Sequence, residues 1–334
     1  MEMIPSVTII GAGVAGLCVA RALTDRGAEV TLIDREADLG IHACSWWAGG
    51  MLAPFCEGES AEEPVVRLGQ EAAPWWQAKT DAVINNGSLV VSLARDKNDL
   101  KRFSRRTEQF EEVSSTQVQA LEPDLGNRFQ KGLYFSSEAH LAPRRALAEL
   151  RATLLADGVT FIQEDADLDA YAQKGITIDC RGYQARDSMN DLRGVKGEML
   201  VLSCPDVTLH RPIRLLHPRV PLYIVPRGDG IFMLGATMIE GVAGQHVTAR
   251  ALLELLSAAY ALNPIFGEAE ILEIGVDSRP AFPDNLPRIR RSGNLLRVNG
   301  LYRHGFLLAP AVARMVCEHV FDQTQPELMD EIAA

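Results

Sequence analysis

The chain has 334 residues, is 47% hydrophobic and carries a formal net charge of −11. That length supports a large core and suggests two domains. The negative charge argues against nonspecific binding to nucleic acid or an anionic membrane, and no apolar run approaches the ~20 residues needed to span a bilayer.

The first element is a short β-branched run, Val7-Thr8-Ile9-Ile10, which predicts a strand. It ends in Gly11-Ala12-Gly13-Val14-Ala15-Gly16, and a helical pattern follows as far as Arg26. Gly27 stops that helix, and Glu29-Val30-Thr31-Leu32-Ile33 reads as a second strand ending in Asp34. Strand, glycine turn, helix and acid-terminated strand together form a dinucleotide fingerprint. Gly11 allows the tight turn, Gly13 lets a pyrophosphate approach the backbone, and Gly16 lets the helix pack closely. The helix N-terminus around Val14 and Ala15 offers free N–H groups to phosphate. Asp34 is placed to accept from a ribose diol, with Arg35 beside it. The alternative is a glycine-rich turn in an ordinary α/β unit.

Next comes Ser45-Trp46-Trp47-Ala48-Gly49-Gly50-Met51-Leu52-Ala53-Pro54, whose small residues let a backbone lie flat against a planar ligand. The alternative is a glycine turn beside two core tryptophans. The segment from Pro54 to Pro64 is acidic and contains glycine, which marks a candidate lid. A helical stretch then runs through Trp75 and Trp76 to about Asn85. Leu89 to Leu93 reads as a strand, Asp96 to Arg106 as a solvated helix, and Glu108 to Leu125 as a strand and a helix stopped by Pro123. Gly132 to Phe135 and His140-Leu141 are expected strands. Arg144 to Asp157 is an amphipathic helix with Pro143 at its start. Thr160 to Ile162 and Ile176 to Asp179 are strands consistent with a return to the nucleotide sheet.

Val195 to Leu202, Ile213 to Leu216, Tyr223 to Pro226 and Ile231 to Gly235 suggest an antiparallel sheet. Thr248 to Tyr260 reads as a helix, Ile271 to Val276 as a strand and Leu295 to Asn299 as another. The turn Gly300 to Gly305 leads to a helix from about Pro310 to Phe321, and the polar tail after Gln323 is expected to fray. No signal peptide pattern is present, so the expected location is cytoplasmic. The six cysteines (Cys18, Cys44, Cys56, Cys180, Cys204, Cys317) form no CxxC pair and are expected to be free thiols. The seven histidines are isolated, and no metal-ligand spacing appears, so no metal is expected.

Four side chains invite a chemical reading. Arg279, in Asp277-Ser278-Arg279-Pro280, and Arg303, beside Gly305, stand at apparent turn or strand-end positions. An arginine grips a carboxylate with two parallel hydrogen bonds and keeps its charge. Tyr223 offers a hydroxyl. The plain alternatives are two surface arginines and a half-buried sheet tyrosine. His304 suggests a general base, although a lone histidine at a turn is more often structural.

Together these segments resemble the D-amino acid oxidase family of flavoproteins, most of all the glycine oxidases of thiamine biosynthesis. The resemblance covers nearly the whole chain in order. It rests on Gly11 to Gly16, on Ser45 to Ala53, on Arg193-Gly194-Val195-Lys196-Gly197-Glu198 and on Tyr223-Ile224-Val225-Pro226-Arg227. It continues through Leu234-Gly235-Ala236-Thr237-Met238, Arg279-Pro280 and Arg303-His304-Gly305-Phe306-Leu307-Leu308-Ala309-Pro310-Ala311. The resemblance implies non-covalently bound FAD, held by Gly11, Gly13, Val14, Ala15, Gly16, Asp34, Arg35, Ser45, Ala48, Gly49, Gly50 and Met51, and by His304, Gly305, Phe306, Leu307 and Leu308. It implies Arg279 as the main carboxylate clamp, assisted by Arg303 and Tyr223. It implies that glycine or a similar small amino acid is oxidised to its imine by hydride transfer, that oxygen is reduced to hydrogen peroxide, and that the imine supplies thiamine thiazole synthesis. The final helix, expected to begin near Leu308-Ala309-Pro310, would stabilise negative charge on a reduced flavin.

The implied architecture is α/β (α+β), a Rossmann-like FAD-binding domain plus an antiparallel-sheet substrate domain, discontinuous in sequence. The expected boundaries are 1–84, 141–195 and 276–334 for FAD and 85–140 and 196–275 for substrate. The chain departs from the pattern at Pro221, where relatives can carry histidine, at Trp46-Trp47, where small residues are common, and at Cys180-Arg181-Gly182. The two tryptophans either narrow the pocket or face the core. Two other functions stay open: a flavin dehydrogenase passing electrons to a quinone or protein, and a flavoprotein that modifies or regulates a partner protein. Whether the chain forms a homo-oligomer is also open.

Overall fold

The computed structural model describes residues 4–217, 221–241 and 246–330. The first β-branched run forms the strand Ser6–Ile10, near the middle of a seven-stranded sheet. Its order is Met329–Asp330, Arg288–Ser292, Leu295–Asn299, Ile176–Asp179, Ser6–Ile10, Glu29–Asp34, Thr160–Gln163. All neighbours run parallel except the hairpin Arg288–Ser292/Leu295–Asn299. Ile9, Leu32 and Ile178 are fully buried at its centre, as expected where helices cover a parallel sheet. Those helices include Val14–Asp25, Pro143–Ala156 and Gly305–Asp322, which share one apolar cluster with the sheet.

The second sheet has nine strands and is mostly antiparallel. From one edge it runs Ile239–Glu240, Arg193–Ser203, Ile231–Gly235, Leu222–Gly228, Ile213–Leu216, Ser88–Ser92, Lys131–Phe135, Glu111–Ser114, with Glu270–Ala281 paired along Arg193–Ser203. The helix Ala249–Leu262 covers it through Leu255, Ala259 and Leu262. A small sheet of Met51–Leu52, Ala139–Leu141 and Val83–Ile84 lies apart from both. Among the described residues no helix is long and apolar enough to cross a membrane, and all six cysteines are free thiols.

Several elements differ from the sequence reading. The helical stretch expected to reach Asn85 consists of Glu63–Gly69 and Ala72–Gln77, and Val83–Ile84 is a strand paired with Ala139–Leu141. Tertiary pairing there overrides a local helical pattern. The strand expected over 271–276 extends over Glu270–Ala281, because Arg193–Ser203 pairs along its length. Arg279 therefore lies within a strand rather than at a turn. Both long strands also run through the domain boundaries expected at 195/196 and 275/276. The tail does not fray at Gln323. Met329–Asp330 adds to the parallel sheet, and Asp330 is held by Arg288 and Arg290.

The largest difference is the start of the final helix, which begins at Gly305 and has Pro310 inside it. Proline cannot donate to the carbonyl four residues earlier, so it normally marks a helix start or a break. Here that carbonyl belongs to Phe306, and the indole Nε1 of fully buried Trp76 donates to it at 2.8 Å. The tryptophan supplies the hydrogen bond that Pro310 cannot make. Trp76→Phe keeps most of the ring volume but leaves the carbonyl without this partner. A loss of about 1–3 kcal/mol in unfolding free energy is expected by urea denaturation; an unchanged midpoint would show that the bond is not needed.

Candidate active site

Two helix N-termini meet at one place. The helix Val14–Asp25 starts after Gly13, and Gly305–Asp322 starts after His304. Neither start has a side-chain cap or an acidic residue in its first turn. A Cβ on Gly305 would lie 3.3 Å from Val14 Cγ1, so the two starts are neighbours. Both open onto a cavity of about 460 Å³ that runs between the two large sheets. Uncapped N–H groups and two positive dipole ends make its wall a natural seat for anionic groups.

At one end of the cavity Gly11 has φ +107°, and a Cβ there would sit 2.5 Å from the Cys180 carbonyl oxygen. Only glycine fits that turn. The Asp34 carboxylate accepts from Ala12 N at 2.7 Å and Glu36 N at 3.1 Å, which fixes its orientation. Two carboxylate oxygens offer about four acceptor sites, so capacity remains for a diol. Ser45 Oγ is buried, lacks a partner among the described residues and lies in the cavity wall.

The middle is formed by Ala48, Gly49, Gly50 and Met51. A Cβ on Gly49 would come 2.8 Å from Tyr223 Cε2, so the backbone lies flat against that ring. Arg227 donates from Nη2 to Gly49 O at 2.7 Å and Ala48 O at 3.4 Å, and from Nη1 to Leu141 O at 3.1 Å. Burial lowers its pKa to about 10, so it remains a cation at neutral pH. The sequence reading quoted Arg227 within a motif and gave it no role; its signal was its place two residues after Val225 in that motif. The tryptophans separate. Trp47 lines the cavity, while the Arg144 guanidinium lies 4.5 Å from the Trp46 ring and pairs with Glu273 at 2.7 Å.

The far end holds Tyr223, Arg279, Arg303, His304, Arg214 and Glu57. Arg279 lies flat on Gly197, where a Cβ would come 2.2 Å from Nη2, and its Nη1 donates to Thr237 O at 3.1 Å. It makes no ion pair among the described residues. Arg303, by contrast, already has a carboxylate. It pairs with Glu57 Oε2 at 2.8 Å and donates to Ser60 Oγ at 2.7 Å. Arg214 takes Glu57 Oε1 at 2.6 Å, and His304 Nε2 lies 3.0 Å from Glu57 Oε2. Burial opposes the Glu57 charge, but Arg303, Arg214 and the His304 hydrogen bond hold its pKa well below the usual carboxylate range. Burial likewise keeps His304 below the ordinary histidine value, despite Glu57. Burial raises the Tyr223 pKa, so its hydroxyl is a neutral donor.

The sequence reading missed Glu57 and Arg214, because only the fold brings their segments together. The candidate lid is also tied down. Besides Glu57 and Ser60, Cys56 N donates to the buried Glu138 at 2.7 Å. Of the residues singled out from sequence, Gly11, Gly13, Val14, Ala15, Asp34, Arg35, Ser45, Ala48, Gly49, Gly50, Met51, Tyr223, Arg279, Arg303, His304, Gly305, Phe306 and Leu307 line the cavity. Gly16 lies behind the turn, where a Cβ would meet the Gly11 carbonyl oxygen at 1.9 Å, and the Leu308 side chain is in the core.

The DAO family of FAD-dependent oxidoreductases matches residues 6–319. The chain belongs to that family. A Rhizobium etli protein assigned as the thiamine biosynthesis oxidoreductase ThiO is 51% identical over 329 residues, 96% of this chain and 98% of its own. A glycine oxidase of Pseudomonas aeruginosa is 26% identical, covering 93% of each chain. The solved structure of glycine oxidase from Bacillus cereus shares the fold, with a TM-score of 0.81 at 20% identity over 96% of each chain. FAD, the cofactor of the family, fits these residues. The two uncapped helix starts suit its diphosphate and isoalloxazine carbonyls, Asp34 its ribose, and the Ser45 hydroxyl has no partner among the described residues.

The Glu57 cluster gives this FAD-dependent oxidoreductase a pH signature. A folded-state pKa below the unfolded value contributes stability above the unfolded value, about 4.3 for glutamate, and loses it as pH falls through the folded value. Glu57→Gln leaves two arginines without their carboxylate. It is expected to cost about 3–5 kcal/mol at pH 7, with the gap to wild type closing at low pH. Unfolding followed from pH 7 to 3 checks this; a gap that stays constant would contradict it.

Proposed function

We propose that this oxidoreductase converts glycine, or a similarly small amino acid, to its imine, with oxygen reduced to hydrogen peroxide. The observation that carries the reading is Arg279, a guanidinium in the cavity wall that makes no ion pair among the described residues. A planar fork of donors suits a substrate carboxylate held by two hydrogen bonds. Gly197 beneath Arg279 fixes the plane of the fork, and the Tyr223 hydroxyl supplies a further donor. Trp47 closes one side, which favours a small substituent.

Bound FAD supplies a two-electron acceptor that takes hydride and passes two electrons to oxygen. The substrate loses the Cα–H electron pair with its hydrogen and a proton from nitrogen, and the C–N bond becomes C=N. What the protein contributes is orientation and charge. Arg279 and Tyr223 hold the carboxylate end, and Arg227 fixes the carbonyls of Ala48 and Gly49, two residues of the cavity wall. The N-terminus of Gly305–Asp322 offers N–H groups where negative charge develops. No strong base is needed for a Cα hydrogen that leaves as hydride. We assign residues 1–84, 141–195 and 276–334 to an FAD-binding domain and 85–140 and 196–275 to a substrate-binding domain, with Arg279 reaching the substrate from the former. The similarity to ThiO supports use of the imine in assembly of the thiamine thiazole.

Arg279→Ala is expected to raise KM for glycine about 10- to 100-fold, the equivalent of losing a charge-assisted hydrogen-bonded pair of about 1.5–3 kcal/mol. Oxygen-uptake kinetics measure it. An unchanged KM would remove Arg279 from the assignment.

A further inference from the structure

The cavity's far end carries three guanidinium groups, from Arg214, Arg279 and Arg303, and one buried carboxylate, Glu57. That carboxylate is engaged on both oxygens. Oε1 receives Arg214, and Oε2 receives Arg303 and lies against His304. Further donors of the two arginines are held nearby: Arg214 Nη1 donates to Cys56 O at 3.4 Å, and Arg303 Nη2 donates to Ser60 Oγ at 2.7 Å. Arg279 alone of the three makes no ion pair with a carboxylate among the described residues. From this geometry we infer that Glu57 is a specificity-determining residue that confines the site to amino acids bearing a single carboxylate. It does so by standing where a second substrate carboxylate would otherwise bind, between Arg214 and Arg303.

This inference deepens the proposed amino-acid oxidation and rests on it for the position of the first carboxylate. Its physics is exclusion. A second carboxylate entering beside Glu57 meets a like charge in a buried setting and finds the arginine donors that face Glu57 taken, so its desolvation is poorly compensated. Replacing Glu57 by glutamine removes the repulsion and leaves one of the two arginines without its acceptor, because the amide keeps a single oxygen. Glu57 acts through Arg214 and Arg303 and is therefore a positioning residue. A purely structural role would lower activity toward all substrates alike and leave their ratio unchanged.

The test compares two secondary amines of similar shape, sarcosine with one carboxylate and iminodiacetate with two, on the FAD-loaded enzyme. Wild type is expected to favour sarcosine in kcat/KM by at least about 100-fold, and Glu57→Gln to narrow that ratio by at least about tenfold, a change of about 1.4 kcal/mol. A folded Glu57→Gln enzyme with the wild-type ratio overturns the inference. Calorimetric titration of the wild-type holoenzyme with glycolate and malonate needs no variant. Malonate is expected to bind at least about tenfold more weakly, and equal or tighter binding of malonate overturns the inference. These titrations read the site independently of turnover. An enzyme that oxidises neither glycine nor sarcosine, yet binds glycolate and rejects malonate, would defeat the proposed reaction and leave the role of Glu57 standing.

Discussion

One buried carboxylate joins three parts of the molecule. Glu57 ends the short helix Pro54–Glu57, Arg214 lies on a strand of the antiparallel sheet, and Arg303 and His304 precede the last helix of the parallel-sheet unit. Each of these groups loses hydration on burial, and alone each would be costly. Together they satisfy one another at 2.6–3.0 Å. A buried charge cluster is poor evidence of extra stability, because an apolar replacement can be equally stable. Its value is geometric. The cluster ties the two large sheets together at the cavity, and it leaves Arg279 as the one of the three arginines with no ion pair among the described residues.

The remainder of the cavity is built from backbone. The glycine turn, the flat Ala48–Gly49 segment and two uncapped helix starts present N–H groups and close-approach surfaces rather than reactive side chains. That composition suits a reaction whose bond-making chemistry belongs to the cofactor and whose protein contribution is binding and electrostatics. Arg227, held among three carbonyl oxygens, shows how a side chain can stabilise such a backbone surface without touching a carboxylate.

Local signals carried much of the architecture. The glycine fingerprint, the acid ending Glu29–Asp34 and the alternating strands were readable because each depends on neighbours in sequence. The start of the last helix was not, because Pro310 normally marks a boundary and the compensating donor, Trp76, comes from 230 residues away. Met329–Asp330 looked like a polar tail because its pairing partner, Arg288–Ser292, was itself not recognised as a strand. Arg279 looked like a turn residue because Pro280 follows it, yet the long pairing with Arg193–Ser203 carries the strand past both. At the site, Arg279, Tyr223 and Arg303 were visible through motif resemblance. The difference between a free and a neutralised arginine was not, since it rests on Glu57, which lies 246 positions from Arg303 and in an acidic stretch that resembles an ordinary surface loop.

The central claim is that the cavity orients a small amino acid for oxidation, with oxygen as the final acceptor. The most direct measurement is the visible spectrum of the purified FAD-loaded protein mixed anaerobically with glycine, followed by admission of air. The account predicts that the flavin band bleaches, that air restores it, and that hydrogen peroxide appears in step with the recovery. A band unmoved by glycine or any other small amino acid would contradict the account, and bleaching that air does not reverse would contradict oxygen as the acceptor.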